Sequence, residues 1–267
     1  MPEFKLGVIG LGRMGAAIVE SVISNNLINP AEIIVCDIDE KARSWAKSKG
    51  LTVAATNRRV VQDCKLVLLV VKPQIANEVL EDIQANVSEG TCFISIMAGI
   101  SSEHIRSKLP AKVNVIRVMP NTPLLVGKAA TVIAKADDVP PTYYRATVSI
   151  FSVSGDVVFL DEDKMNEIIP LSSSSPAFFY RMAAVMLRYA EEMGVDSAIA
   201  LRLIAQAMEG SAIMLRDFGN PSNLIAQVAS PGGTTVAALN QLDINAFDDA
   251  LSAALTACKE RADQLGR

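Results

Sequence analysis

The chain predicts an α/β fold: an open, doubly wound sheet in its first three-fifths, followed by an all-α C-terminal part. Three observations point there. Short aliphatic runs alternate with helix-length, polar-faced stretches up to about residue 160. Past Asp163 no strand-like run recurs, and Ala, Met and Leu dominate long windows. Of 267 residues, 50% are hydrophobic and 20% charged, enough apolar material for a sizeable core.

In order, Phe4–Gly10 reads as a strand, Met14–Asn26 as a helix, Glu32–Cys36 as a strand and Asp39–Lys49 as a helix. Leu66–Val71, Thr91–Ile96, Val113–Val118 and Ala129–Ala134 are further strands, with helices at Gln74–Gln84 and Ser101–Lys108. The strand runs are continuously aliphatic rather than alternating, which predicts parallel strands covered on both faces and joined by right-handed crossovers. A charged turn, Asp161-Glu162-Asp163-Lys164, marks the expected boundary between residues 1–162 and 163–267. Pro176–Met193 carries Phe178, Phe179, Met182, Val185, Met186 and Tyr189, so apolar positions cover most of that helix. Ser197–Leu215 and Ala246–Gln264 are alanine-rich in the same way. Helices apolar on most sides must be buried on most sides. About 105 residues of helix can hardly do that alone, so a second copy of the chain is the expected cover, with a compact monomeric bundle as the alternative.

The formal net charge is −4 and the pI about 5.2, which offers no general attraction for nucleic acid or an anionic membrane. The start, Met1-Pro2-Glu3-Phe4-Lys5, leaves no room for a signal peptide. The longest aliphatic run, Leu66–Val71, has roughly a third of the length a membrane span needs, so no membrane is expected. Four scattered cysteines, Cys36, Cys64, Cys92 and Cys258, read as reduced thiols of a cytoplasmic protein. One histidine and no CxxC argue against a transition-metal site.

Gly10-Leu11-Gly12-Arg13-Met14-Gly15 is a full GxGxxG directly after the first strand and opening the first helix. Gly10 serves the tight turn, Gly12 lets the main chain approach a pyrophosphate, and Gly15 permits close helix–strand packing. The N–H groups at the helix start receive phosphate charge. This predicts a Rossmann-like dinucleotide site. Asp37 follows the second strand, 22 residues after Gly15, where a carboxylate would accept from a ribose 2′-hydroxyl and repel a 2′-phosphate. NADH is thereby slightly favoured over NADPH, against the pull of Arg13, Arg58 and Arg59, although an Asp37 that merely caps the next helix would look the same. Val70-Val71-Lys72-Pro73 and Ala98-Gly99 close later strands with residues that let main chain pass near a nicotinamide ribose. Arg117-Val118-Met119-Pro120-Asn121-Thr122-Pro123 forms a stiff wall. In the helical part, Ser230-Pro231-Gly232-Gly233-Thr234-Thr235 precedes a helix expected over Val236–Leu242. Two glycines and three hydroxyls there make an amide cradle suited to a carboxylate without an arginine.

With these motifs in this order, the chain resembles the pyrroline-5-carboxylate reductase family over essentially its whole length. The matching residues are Ile9–Met14, Val71-Lys72-Pro73-Gln74, Ala98-Gly99-Ile100, Arg117 with Met119–Pro123, and Ser230–Thr235. The resemblance implies NAD(P)H-dependent reduction of 1-pyrroline-5-carboxylate to L-proline, in homodimers built through the helical domain and sometimes in rings of dimers. It implies Asn57 at the adenosine ribose and Thr235 at the substrate, donating at the imine nitrogen. The amides of Gly233 and Thr234, with Ser230, then hold the carboxylate. One stretch departs from the family: two usual glycines are Ser173 and Ser175, and an expected threonine is Ile169. Serine takes positive φ at a cost, which predicts a different loop path. Two other readings stand beside this one. A 3-hydroxyacid dehydrogenase shares residues 10–15 but needs a lysine where this chain offers Arg181. A catalytically idle NAD(P)-binding regulatory or assembly protein would bind coenzyme without turnover.

Overall fold

The structure, a computed structural model, describes residues 4–109 and 112–266. Met1–Glu3, part of the expected N-terminal stretch, lie outside the described residues. Two compact units are present: the described part of Met1–Ser174 with Cys258–Arg267, and Ser175–Ala257.

The first unit holds an eight-stranded sheet in the order β3-β2-β1-β4-β5-β6-β7-β8. The strands are β1 (Leu6–Ile9), β2 (Ile33–Cys36), β3 (Thr52–Val53), β4 (Leu66–Leu69), β5 (Cys92–Ser95), β6 (Asn114–Met119), β7 (Ala129–Ala134) and β8 (Gly155–Leu160). Around them lie α1 (Arg13–Ser24), α2 (Glu40–Ser48), α3 (Asn57–Asp63), α4 (Ala76–Ile83), α5 (Ser102–Ser107) and α6 (Pro141–Ser152). Every residue of β1, β2, β4 and β5 is buried. Their aliphatic continuity follows, because side chains alternate between two covered faces. Leu6 and Val8 of β1, with Leu68 and Ile94, pack against Ile18 and Val22 of α1 and Phe151 of α6. Ile9, Val67 and Phe93 point the other way, onto Val60 of α3, Leu80 of α4 and Ile105 of α5.

The strands β1 to β6 pair in parallel. The expectation of an entirely parallel sheet needs one correction: β7 runs antiparallel to β6, and β8 parallel to β7. The link 120–128 is too short for a crossover, which needs a dozen or more residues, so the chain must turn back. Four elements of this unit go beyond the sequence expectation. β3 is two residues long, β8 is a partly exposed edge strand with no fully buried residue, and α3 and α6 connect them to the sheet.

The second unit is helical: α7 (Ser175–Glu192), α8 (Ser197–Phe218), α9 (Pro221–Val228), α10 (Thr234–Ile244) and the first part of α11 (Phe247–Leu265). Asp196 caps α8 by accepting from the amides of Ala198 and Ile199, both at 3.0 Å. Asn220 caps α9, with Pro221 at its first position. α9 was not among the expected helices, and α10 starts two residues before the expected Val236. Twenty large apolar side chains of this unit are more than a third exposed, among them Phe179, Tyr189, Leu203, Phe218 and Ile244. At about 1 kcal/mol for each half-exposed side chain, covering them would contribute on the order of 10–20 kcal/mol, comparable to the whole stability of a domain. Among the described residues, α8 alone is long and apolar enough to cross a membrane, with 11% of its apolar window buried.

Burial also sets the chemistry of the thiols. Cys64 is pushed up to about 11 and Cys92 to about 12, chiefly by desolvation, and Cys36 is raised for the same reason. Since the thiolate is the nucleophile, raised values keep these groups neutral and unreactive until the pH climbs through them. Ellman titration at pH 8 is expected to leave all three unmodified in the folded chain and to reach them once denaturant is added.

Candidate coenzyme and substrate sites

The sheet reverses its winding between β1 and β4, and the coenzyme-binding candidates collect at the carboxyl ends of those strands. Gly10 leaves β1 with φ +98°, and a Cβ on it would meet the Val70 carbonyl at 2.8 Å and Val71 Cγ1 at 3.2 Å. Gly15 lies still closer, since its Cβ would stand 2.3 Å from the Gly10 oxygen. Gly12 differs from both, because nothing lies within 4 Å of its would-be Cβ. Gly12 is also the N-cap of α1, with no side-chain cap and no acidic residue in the first turn. A helix start left open in this way suits a pyrophosphate, so the residues present fit a dinucleotide. Arg13 is exposed and Met14 half-buried beside this opening.

Asp37 is tied down. One carboxylate oxygen accepts from the Leu11 amide and the other from the Asp39 amide at 2.8 Å, which binds the end of β2 to the glycine loop. Beside it opens a cleft of about 520 Å³ lined by Asp37, Ile38, Arg43, Asn57, Arg58 and Asp82 among others. The structure therefore brings Asp37 and Asn57 to one cleft, with the Asn57 amide 3.4 Å from Asp82. Arg58 pairs with Asp82 at 2.8 Å, and Arg59 pairs with Asp63. Sequence reasoning missed two residues here. Ile38 is 97% exposed at the rim, and Arg43 Nε is buried without a hydrogen-bond partner. An isoleucine between two aspartates was the available signal for the first; the second carried none.

Val70 donates its amide to Ile9 at 2.9 Å and so stays beside the glycine loop with Val71. Lys72 is exposed and precedes Pro73, which opens a short 3₁₀ turn. Ala98 and Gly99 close β5, with Gly99 left-handed at φ +81° and buried. Arg117, near the end of β6, is 5% exposed. Burial lowers its pKa while Glu162, 3.5 Å away, opposes that shift. Its Nη2 donates to Asn166 at 3.0 Å.

The substrate candidates lie in the second unit. Gly232 is left-handed at φ +72°, and the Gly233 amide donates to the Ser230 carbonyl at 2.9 Å. A Cβ on Gly233 would meet Ser230 Oγ at 2.7 Å and force that hydroxyl to turn away, while the left-handed Gly232 is where the turn calls for glycine. Gly233 is the N-cap of α10, again with no side-chain cap and no acidic first turn, and Thr234 and Thr235 open the helix. Because the Gly233 amide closes the turn, the amides of Thr234 and Thr235 are the ones at the uncapped start. Thr235 also lines a largely apolar groove of about 650 Å³ between α8, α9 and α10.

Comparison with known proteins joins the two halves. The family model for pyrroline-5-carboxylate reductase dimerisation matches residues 162–265. That for NADP oxidoreductase, coenzyme F420-dependent, matches residues 5–99. A pyrroline-5-carboxylate reductase of Corynebacterium melassecola is 33% identical, over 98% of this chain and 98% of its own. The chain belongs to the pyrroline-5-carboxylate reductase family. Solved structures agree in fold. The Plasmodium falciparum pyrroline carboxylate reductase with NADP bound superposes with a TM-score of 0.89 at 25% identity, covering 100% of both chains. The Coxiella burnetii pyrroline-5-carboxylate reductase gives 0.86 at 29%, covering 99% of both.

Against that family, the serine-altered loop is not strained. Neither Ser173 nor Ser175 has positive φ. The stretch winds through successive turns, with the Ser172 amide on Ile168 and the Ser173 and Ser174 amides on Ile169. Ser173 Oγ donates to the Pro120 carbonyl at 3.3 Å, and Asn121 Nδ2 to Ser172 at 3.0 Å, so the loop is stitched to the wall after β6.

The three glycines of the motif separate folding from binding. Gly15→Ala should lower stability by about 1–3 kcal/mol through overpacking. Gly12→Ala should melt within a degree or two of the parent while weakening NADH binding by about tenfold or more. Thermal melts and fluorescence titration of the two variants check this.

Proposed function

We propose that this chain is a pyrroline-5-carboxylate reductase, reducing the C=N bond of 1-pyrroline-5-carboxylate to give L-proline with NAD(P)H. The observation that carries the reading is the end-to-end match to the family, which takes in both uncapped helix starts. Residues 1–162 serve as the dinucleotide-binding domain and 163–267 as the helical dimerisation and substrate domain. Gly10, Leu11, Gly12, Arg13 and Met14 receive the pyrophosphate, and Asp37 and Asn57 the adenosine ribose. Val70, Val71, Lys72 and Pro73, with Ala98 and Gly99, border the nicotinamide half. When bound, the reduced nicotinamide supplies the hydride.

The protein's own part is positioning. The amides of Thr234 and Thr235 with the Ser230 hydroxyl hold the substrate carboxylate at the start of α10, and Gly233 shapes the turn that exposes them. A helix start favours an anion without an arginine, whose charge would oppose an iminium close by. Thr235 Oγ1 hydrogen-bonds at the imine nitrogen side, donating to the neutral imine or accepting from the iminium N–H, and fixes the ring so that its carbon faces the hydride source. NADH is slightly favoured. Asp37 keeps acceptor positions for a ribose hydroxyl, while Arg58 and Arg59 are already paired with carboxylates. Arg43 pairs with Glu40 at 3.5 Å through Nη1, and its Nε is buried without a hydrogen-bond partner in the same cleft.

A second copy of the chain, rather than lipid, covers the exposed apolar faces of α7 and α8, within the stretch matched by the dimerisation model. Rings of dimers are a further step of the same assembly. Unpaired cysteines suit a cytoplasmic location.

Steady-state assays with pyrroline-5-carboxylate and both coenzymes test the activity, and 3-hydroxyacids serve as the control. Turnover of the imine with a lower KM for NADH is expected; coenzyme binding with turnover of neither substrate would refute it. Thr235→Ala should cut kcat by about 10- to 100-fold with NADH affinity nearly unchanged. Light scattering should find at least twice the 28.5 kDa chain mass.

A further inference from the structure

Gly99 faces the other end of the chain. A Cβ on it would stand 2.4 Å from the Ala262 carbonyl and 3.0 Å from Leu265 Cβ, and a Cβ on Gly266 would stand 2.2 Å from the Gly99 oxygen. Here the last turns of α11 lie main chain to main chain on the segment that leaves β5. A polar chain holds them there. Asp263 accepts from Lys259 at 2.7 Å and from Asn166 at 3.1 Å. Asn166 accepts from the buried Arg117, which pairs with Glu162. Glu162 in turn accepts from both the amide and the hydroxyl of Ser102. Ala262 is 3% exposed among Met119, Val132 and Met165, and Cys258 donates to Ser174 at 3.2 Å. The segment 98–102 is thus pinned twice, at Gly99 by the helix end and at Ser102 by Glu162, and one network joins the two pins.

We propose that the stretch Cys258–Gly266 is a positioning element for the coenzyme, fixing the path of residues 98–102, and that Asp263 is its positioning residue. The proposal rests on the coenzyme role assigned above to Ala98 and Gly99. No residue of the stretch need touch the coenzyme. It acts by holding a left-handed glycine and its neighbours in one path, so that binding carries no further ordering cost. Thermodynamic reciprocity then requires the coenzyme to steady the helix end in return.

Two measurements test it. In the unmodified protein, NADH should slow amide exchange in residues 98–102 and also in 258–266. Asp263→Ala should raise the NADH dissociation constant about five- to tenfold with KM for the imine within about twofold. Asp263→Asn keeps an oxygen for Asn166 and should bind NADH as the parent does. Ile150→Val, a core change in α6, should lower the melting temperature without weakening NADH binding. Protection that stops at residues 98–102, or an Asp263→Ala variant that is less stable yet binds NADH normally, would overturn the proposal. If Asp263→Ala does not fold, the exchange measurement on the parent decides. A parent chain that binds neither NADH nor NADPH would instead remove the coenzyme assignment itself.

Discussion

The structure depends most on how closely main chain can approach main chain where β1 turns into α1. Gly10 and Gly15 touch at a spacing no side chain allows, and Gly10 also lies against Val70. That contact brings α1 down onto the sheet, aims its amino end across the switch between β1 and β4, and leaves Gly12 facing open space. A phosphate-binding helix start is useful only if its amides stay unclaimed and its direction is fixed. Close packing supplies the direction and the absent cap supplies the amides. Asp37 adds a second tie by accepting from Leu11, so the loop and the end of β2 hold one another.

Much of this was legible in the sequence because its signals are local. A strand buried on both faces announces itself as four consecutive aliphatics, as in Leu66–Leu69. GxGxxG lies within six residues, and the cradle before α10 within another six. What escaped was short, exposed or non-local. β3 has two residues and so makes no run; β8 does make one, Val157-Val158-Phe159-Leu160, but as an edge strand with Val158 and Phe159 half exposed. The reversal at β7 could have been read from the brevity of the link 120–128. The serines at 173 and 175 avoid positive φ, in keeping with the cost of that conformation for a side chain.

The helical unit shows a different limit. Its composition said that one chain could not bury all that apolar surface, and the exposed faces of α7 and α8 have that character. Hydrophobicity of this sort is ambiguous in principle, since a span of α8's length and composition would satisfy a bilayer equally well. Polar groups separate the two cases. Glu209 lies within α8 and Arg216 and Asp217 lie in its last turn, and a charge at mid-helix costs about 2.5–3.5 kcal/mol in lipid. At a protein interface the same charges can remain at a wet rim.

The pair Gly99 and Gly266 uses the device of Gly10 and Gly15 at long range. In each pair a Cβ would collide with the partner's carbonyl oxygen. In the first pair the partners are five residues apart and form a recognisable motif; in the second they are 167 apart, and no pattern in the chain announces them. The consequence differs as well. Gly15 lies inside one helix and cannot move without unfolding it. The Gly99 contact rests on the last turns of α11, where helices fray, and so it needs Asp263, Asn166 and Arg117 to hold it. A buried guanidinium is costly to desolvate and weak as a source of stability. It is well suited to fixing one arrangement among several of similar energy, because Arg117 is satisfied only while Glu162 and Asn166 stay in place. On that ground the role proposed for the network is to fix the path of residues 98–102 rather than to stabilise the fold.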